Sequence, residues 1–221
     1  MKLNRLLHSI RLLAALAWAL SSPALFAASE AALVTAVAGQ VGLSTPDASQ
    51  PLQAFVKLQP GDRLTLAQDA SVRLVYFDSR RQESWTGPGR LEVGAAASVS
   101  QDLPPPQVQL LPEFLVRQIA RTPGPPSQGR AGAVRLRSLP EPAARVEAEY
   151  LALREQSDPA DLNPELYRLA GLFELREFAR VEQALAELRE HRSDDEQVDL
   201  LVQLYRRALR DARAAISAPA R

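Results

Sequence analysis

Nine of the chain's 17 prolines fall between Pro104 and Pro142. Proline fixes φ and lacks the backbone N–H, so neither a helix interior nor a central strand runs easily through such a stretch. The hydrophobic pattern changes at the same place. Short runs divided by turn residues come before it, and a 3.6-residue period follows it. The expected fold class is therefore α+β by modules: an N-terminal all-β small barrel or sandwich, then a C-terminal α-helical hairpin module. The boundaries read 31–100 for the β domain, 101–140 for a Pro-rich linker and 141–213 for the helices.

The start of the 221-residue chain reads differently. Met1 to Arg11 is basic, Leu12 to Leu20 is apolar, Ser21-Ser22-Pro23 breaks the run, and Leu25-Phe26-Ala27-Ala28 offers small residues for cleavage. This is the order of a secretory signal peptide over 1–27, which predicts a periplasmic location in a cell with two membranes. The rival reading is an uncleaved anchor, but the apolar run is too short to cross about 30 Å of hydrocarbon. No later stretch approaches about 18 consecutive apolar residues, so no membrane span is expected in the mature chain.

Charge and cysteine content narrow the function classes. The whole chain balances 26 basic against 26 acidic residues. Losing Lys2, Arg5 and Arg11 with the signal leaves 23 against 26, a net of −3. That is a poor footprint for nucleic acid, which calls for a strongly basic face. Cysteine is absent. Disulfides, thiol nucleophiles, iron–sulfur clusters and zinc–thiolate sites are excluded, as is lipid attachment at the cleavage point.

Between residues 31 and 94 lie the runs Ala32–Val37, Val41–Leu43, Ala54–Leu58, Arg63–Leu66, Ser71–Phe77, Arg81–Trp85 and Arg90–Val93. Turn residues separate them, among them Pro60-Gly61-Asp62, Asp78-Ser79 and Gly87-Pro88-Gly89. Close, regular spacing of this kind predicts an all-β barrel or sandwich. Val72, Leu74 and Tyr76 alternate with Ser71, Arg73 and Val75, as in a half-buried strand.

The same stretch resembles the FecR domain, a periplasmic module of transmembrane iron-transport regulators. The matching segments are Val34-x-x-Val37-x-Gly39-x-Val41, Leu58-x-x-Gly61-Asp62-x-Leu64, Val72-x-Leu74-x-Tyr76-x-Asp78 and Gly87-Pro88-Gly89 before Leu91-Glu92-Val93. The resemblance covers about 60 residues and implies a FecR-like β domain. Ser79 stands where the family often has Gly after the Asp. The membrane regulators also carry a cytoplasmic segment that contacts a sigma factor. Only a signal peptide is read ahead of this β domain, so the resemblance carries the domain and not the signalling role. Val56 to Leu64 also resembles the opening of a LysM glycan-binding repeat, but an alternating strand follows where LysM has helices. Gly61-Asp62 reads as a tight turn, with a ligand loop as the sharper alternative. Trp85 reads as core, with an exposed sugar or partner contact as its alternative.

Within the linker, Pro104-Pro105-Pro106 is semi-rigid, Pro112 to Ile119 suits one short helix, and Val134 and Leu136 alternate with Arg135 and Arg137. Residues 107–140 hold five arginines (Arg117, Arg121, Arg130, Arg135 and Arg137) against Glu113. Such a segment reads as a solvated joint that happens to be basic or as one that pairs with the module beyond it, where residues 141–212 hold 17 acidic against 10 basic residues, with an anionic surface as the sharper alternative. That module opens on the face Val146, Tyr150 and Leu153. Asn163 is read as an N-cap before Pro164. Stripes follow at Leu166, Leu169, Ala170 and Phe173, at Val181, Ala184, Leu185 and Leu188, and at Val198, Leu201, Val202, Tyr205 and Leu209. Ser193 to Glu196 has capping-box spacing. Tyr167, Ala170-Gly171, Phe178, Ala184 and Leu188 resemble a tetratricopeptide hairpin over about one 34-residue unit.

No catalytic constellation emerges. His191 is the one histidine beyond the signal, and it sits at the polar end of a helix. There is no Gly-x-Ser-x-Gly elbow, no His-Glu-x-x-His, no phosphate loop and no EF-hand spacing. Asp194-Asp195 read as helix-start acids rather than a hydrolase pair. The expected function is a non-enzymatic interaction or scaffolding module of the cell envelope, without cofactor or metal. A protein partner is expected. The alternative is a module that binds peptidoglycan, another glycan or a small ligand, using aromatics near Trp85 and Tyr76.

Overall fold

The computed structural model describes residues 30–45, 49–100, 102–125 and 143–217. The segment 1–27, read as a signal peptide, and the Val134–Arg137 alternation lie outside them. Ten strands and five helices are found among the described residues, giving a mixed α+β chain. The strands are β1 (Ala32–Ala38), β2 (Val41–Ser44), β3 (Ser49–Pro51), β4 (Lys57–Leu58), β5 (Arg63–Leu66), β6 (Ser71–Tyr76), β7 (Arg81–Thr86), β8 (Gly89–Val93), β9 (Ser98–Ser100) and β10 (Gln107–Leu110). The helices are α1 (Glu113–Ile119), α2 (Ala143–Gln156), α3 (Asn163–Glu174), α4 (Phe178–His191) and α5 (Glu196–Ser217).

The strands form two antiparallel five-stranded sheets, in the orders β10-β7-β6-β1-β4 and β3-β2-β5-β8-β9. Among the described residues no closed barrel forms, so of the two β architectures expected the barrel is the one set aside. Ala32, Val34, Val72, Leu74, Tyr76 and Trp85 of the first sheet share one apolar core with Val41, Leu43, Leu64, Leu66, Leu91 and Val93 of the second. Period-two alternation places these residues on facing sides. The turn read at Pro60-Gly61-Asp62 is present. Gly61 sits at φ 93°, its N–H donates to the Val93 carbonyl at 2.8 Å, and Asp62 accepts from the Gln59 N–H at 2.8 Å.

Strand β6 buries Val72, Leu74 and Tyr76 on one face and Val75 on the other, where Ser71 and Arg73 stay partly exposed. Val75 lies opposite Leu33 of β1, and both pack into a second core with Leu166, Leu169, Val181, Leu201 and Tyr205 of the helices. The alternation read for β6 holds from Ser71 to Leu74, and Val75 departs from it as the apolar contact of a second face. The helices thus form a third layer over the outside of the first sheet.

The linker reading also changes over 107–119. Strand β10 pairs with β7 in the register Gln107↔Ser84 to Leu110↔Arg81. Helix α1, where a short helix was expected, buries Leu115, Val116 and Ile119. The prolines do not prevent this because they stand at element ends: Pro106 precedes β10, and Pro112 is the N-cap of α1. There a missing N–H costs nothing. Arg121 then pairs with Glu174 of α3, which ties one of the segment's arginines to the acidic module.

Two caps differ from expectation. Asn163 makes no capping bond; its own N–H donates to Asp161 Oδ1 at 3.1 Å. Helix α5 is capped by Asp195, whose Oδ1 accepts from Gln197 N at 2.9 Å and Val198 N at 3.4 Å. Ser193 instead donates to Asp194. The carboxylate adjacent to the first helical residue outcompetes the hydroxyl two residues earlier, because it faces the helix's free N–H groups with full negative charge.

Candidate functional site

Three stripes with one spacing build a groove. Helix α2 contributes Glu147, Tyr150, Leu151 and Arg154, at i, i+3, i+4 and i+7. Helix α4 contributes Ala184, Glu187, Leu188 and His191 at the same intervals, and α3 supplies Glu165, Arg168 and Leu169 between them. Residues at these spacings share a helix face. The cavity is about 460 Å³, large enough for a few side chains of a docked segment.

Ion pairs brace the groove. Arg168 Nε donates to Glu147 Oε2 at 2.8 Å, and its Nη1 donates to Glu187 Oε2 at 2.7 Å. One guanidinium therefore ties both walls to the floor. It also lies over the Tyr150 ring, 4.8 Å from the centroid, a cation–π contact. Hydrogen bonding from Arg168 holds the Glu187 carboxyl below the usual carboxylate range. Arg154 Nη1 reaches both Glu165 oxygens at 3.1 and 3.0 Å and the Asp161 carbonyl at 2.7 Å. Arg192 bonds the carbonyls of Pro159 and Ala160, each at 3.3 Å, and pairs with Asp195. These pairs fix the shape of the walls, while Leu151, which is 59% exposed, leaves an apolar contact at the mouth.

Close approach of α2 and α3 depends on Gly171. A β carbon there would lie 2.9 and 3.1 Å from the two methyl groups of Val146. Glycine at this point of α3 thus has a packing cause.

The residues singled out in the sequence distribute as follows. Trp85 is buried and donates from Nε1 to Glu83 Oε2 at 3.0 Å. Tyr76 is buried too; burial pushes its phenol up to about 12, and its hydroxyl bonds Ser98 Oγ at 2.7 Å. Neither ring faces solvent, so the aromatic pocket expected near them does not form there. Glu83, only 1% exposed, collects Trp85, the Ser98 N–H at 3.2 Å and Arg81 at 3.2 Å. It pins β9 across the mouth of the two sheets, and nothing in the local pattern had marked it. His191 faces the groove end, with Nδ1 2.6 Å from the Glu187 carbonyl of its own helix. Asp194 and Asp195 lie at the start of α5, as read. Arg168 and Tyr150 are the groove residues whose roles were missed, although the mixed stripe Glu147, Tyr150, Leu151 and Arg154 was the available signal.

Compared with protein-family models, with curated proteins and with solved structures, the chain matches none of them.

Proposed function

We infer that this chain is a non-enzymatic interaction or scaffolding module of the cell envelope, exported to the periplasm. In this reading a FecR-like β domain carries a tetratricopeptide-like helical module, and the groove of α2, α3 and α4 docks a segment of an envelope protein. The groove carries the reading. It combines apolar walls at Leu151, Leu169, Ala184 and Leu188 with charged groups already paired to one another. A site organised this way suits insertion of side chains from a partner rather than chemistry on a substrate. Export rests on the basic, apolar and small-residue order of Met1 to Ala27.

Residues 28–221 immobilised on a support test the reading when exposed in parallel to periplasmic extract and to purified peptidoglycan, at low and moderate salt. A discrete protein captured by the parent chain and lost from Leu151→Glu supports it. Retention on peptidoglycan alone moves the assignment to a wall-binding module. Capture that ignores Leu151→Glu removes the groove from the account.

A further inference from the structure

We propose that strand β10 is a self-association edge, along which two copies of this chain pair antiparallel about a two-fold axis through Gln109. The proposal stands independently of the groove and its partner.

The edges of the two sheets are not equally protected. Edge strand β4 has two residues, and its Lys57 pairs with Glu30 at 3.0 Å. Strand β3 ends in Pro51, and β9 has three residues. Charge, proline and shortness are the usual guards against edge pairing. Strand β10 has four residues, Gln107-Val108-Gln109-Leu110, all exposed and none charged. Val108 and Leu110 are 45% and 68% exposed.

Its backbone geometry sets the register. Leu111 N donates to the Arg80 carbonyl at 3.0 Å, in the same register that pairs Gln109 with Gln82 and Gln107 with Ser84. Hydrogen-bonded and non-bonded positions alternate along an antiparallel ladder. The N–H and C=O groups of Val108 and Leu110 therefore point away from β7. In a two-fold pairing centred on Gln109, Val108 of each copy bonds Leu110 of the other, and all four outward N–H groups find carbonyls. Centring on Val108 would set Leu110 against Pro106 of the second copy, and centring on Leu110 would set Val108 against Pro112. Proline has no N–H to give, so both shifts lose bonds.

The side chains agree with this register. Val108 meets Leu110 of the second copy on one face. On the other, two Gln109 amides face each other, each able to donate and accept. Self-pairing of a charged strand would set like charges opposite one another, and β10 has none to repel. Four paired residues per copy make a small interface, so the association is weak and concentration-dependent.

Sedimentation velocity of residues 28–221 from about 1 to about 200 µM tests this. The weight-average mass should rise toward twice the monomer value. Val108→Pro removes an outward donor while leaving the β7 ladder, and Leu110→Lys sets charge at the edge; each should raise the half-association concentration at least about tenfold. The cysteine-free chain allows a positional check. Gln109→Cys lies at a non-bonded pair, with Cα atoms about 4.5 Å apart, within disulfide reach. Diamide should cross-link Gln109→Cys into dimers and leave Gln107→Cys monomeric. A mass that stays monomeric throughout, or association indifferent to both edge variants, overturns the proposal.

Discussion

Asn163 Nδ2 donates to Gln82 Oε1 at 2.6 Å, joining the first turn of α3 to β7 across 81 residues of sequence. Both residues are buried. Beside this bond, Arg73 of β6 pairs with Asp161 at 3.2 Å, and Gln197 Nε2 reaches the Val37 carbonyl at 3.3 Å. Polar contacts thus fix where the helical layer sits, while Leu33, Phe55 and Val75 supply the apolar contact beneath it.

Breaking one side of the Asn163–Gln82 bond leaves a buried amide without its partner. Asn163→Ala should cost about 1–3 kcal/mol in denaturant unfolding. Gln82→Leu with Asn163→Leu should cost less than the sum of the two single changes, because no amide is then stranded.

The two modules should unfold together. Trp85 is the single tryptophan of residues 28–221 and lies between the sheets, whereas the helices dominate ellipticity at 222 nm. Tryptophan fluorescence and circular dichroism should therefore give coincident urea transitions. A helical layer that melts first would show as two separated midpoints.

Gly171→Ala sets two effects against each other. Alanine gains about 1 kcal/mol of helix propensity, and its β carbon drives into Val146 at a cost of about 1–3 kcal/mol. Net destabilisation is expected, and Val146→Ala in the same chain should recover most of it. Thermal melts of the three variants give the comparison.

Glu187 and Asp62 should respond oppositely to pH. The bond from Arg168 lowers the Glu187 pKa, so its contribution is present above the unfolded value of about 4.3 and is lost as pH falls through the lower folded value. Glu187→Gln should weaken the acid-side loss of stability. Desolvation raises the Asp62 pKa against the lowering bond from Gln59. Its contribution is present below the unfolded value of about 3.9 and is lost as pH rises through the folded one. Asp62→Asn keeps an acceptor for Gln59 N and should raise the melting temperature at pH 7.

Local chemistry was legible where it acts within a few residues. The turn at Gly61-Asp62, the burial of Trp85 and the stripes of α3, α4 and α5 follow from φ preference and periodicity. What escaped depends on distant partners. Proline density hid β10, because density does not say whether a proline stands inside an element or at its end. Val75 looked like an irregular outward residue until the helical layer covered it. Asn163 carries cap chemistry, yet its amide is taken by Gln82. The groove was partly visible in the Glu147-Tyr150-Leu151-Arg154 stripe, but the role of Arg168 as a tie between two walls exists only once three helices meet.

The groove reading is tested most directly by photocross-linking in the cell. A benzophenone amino acid is placed at Leu151, at the mouth of the groove, and as control at Val99, exposed on β9. One discrete protein adduct is expected from position 151 and none of the same size from position 99. No protein adduct at 151, or the same adduct from both positions, would contradict it.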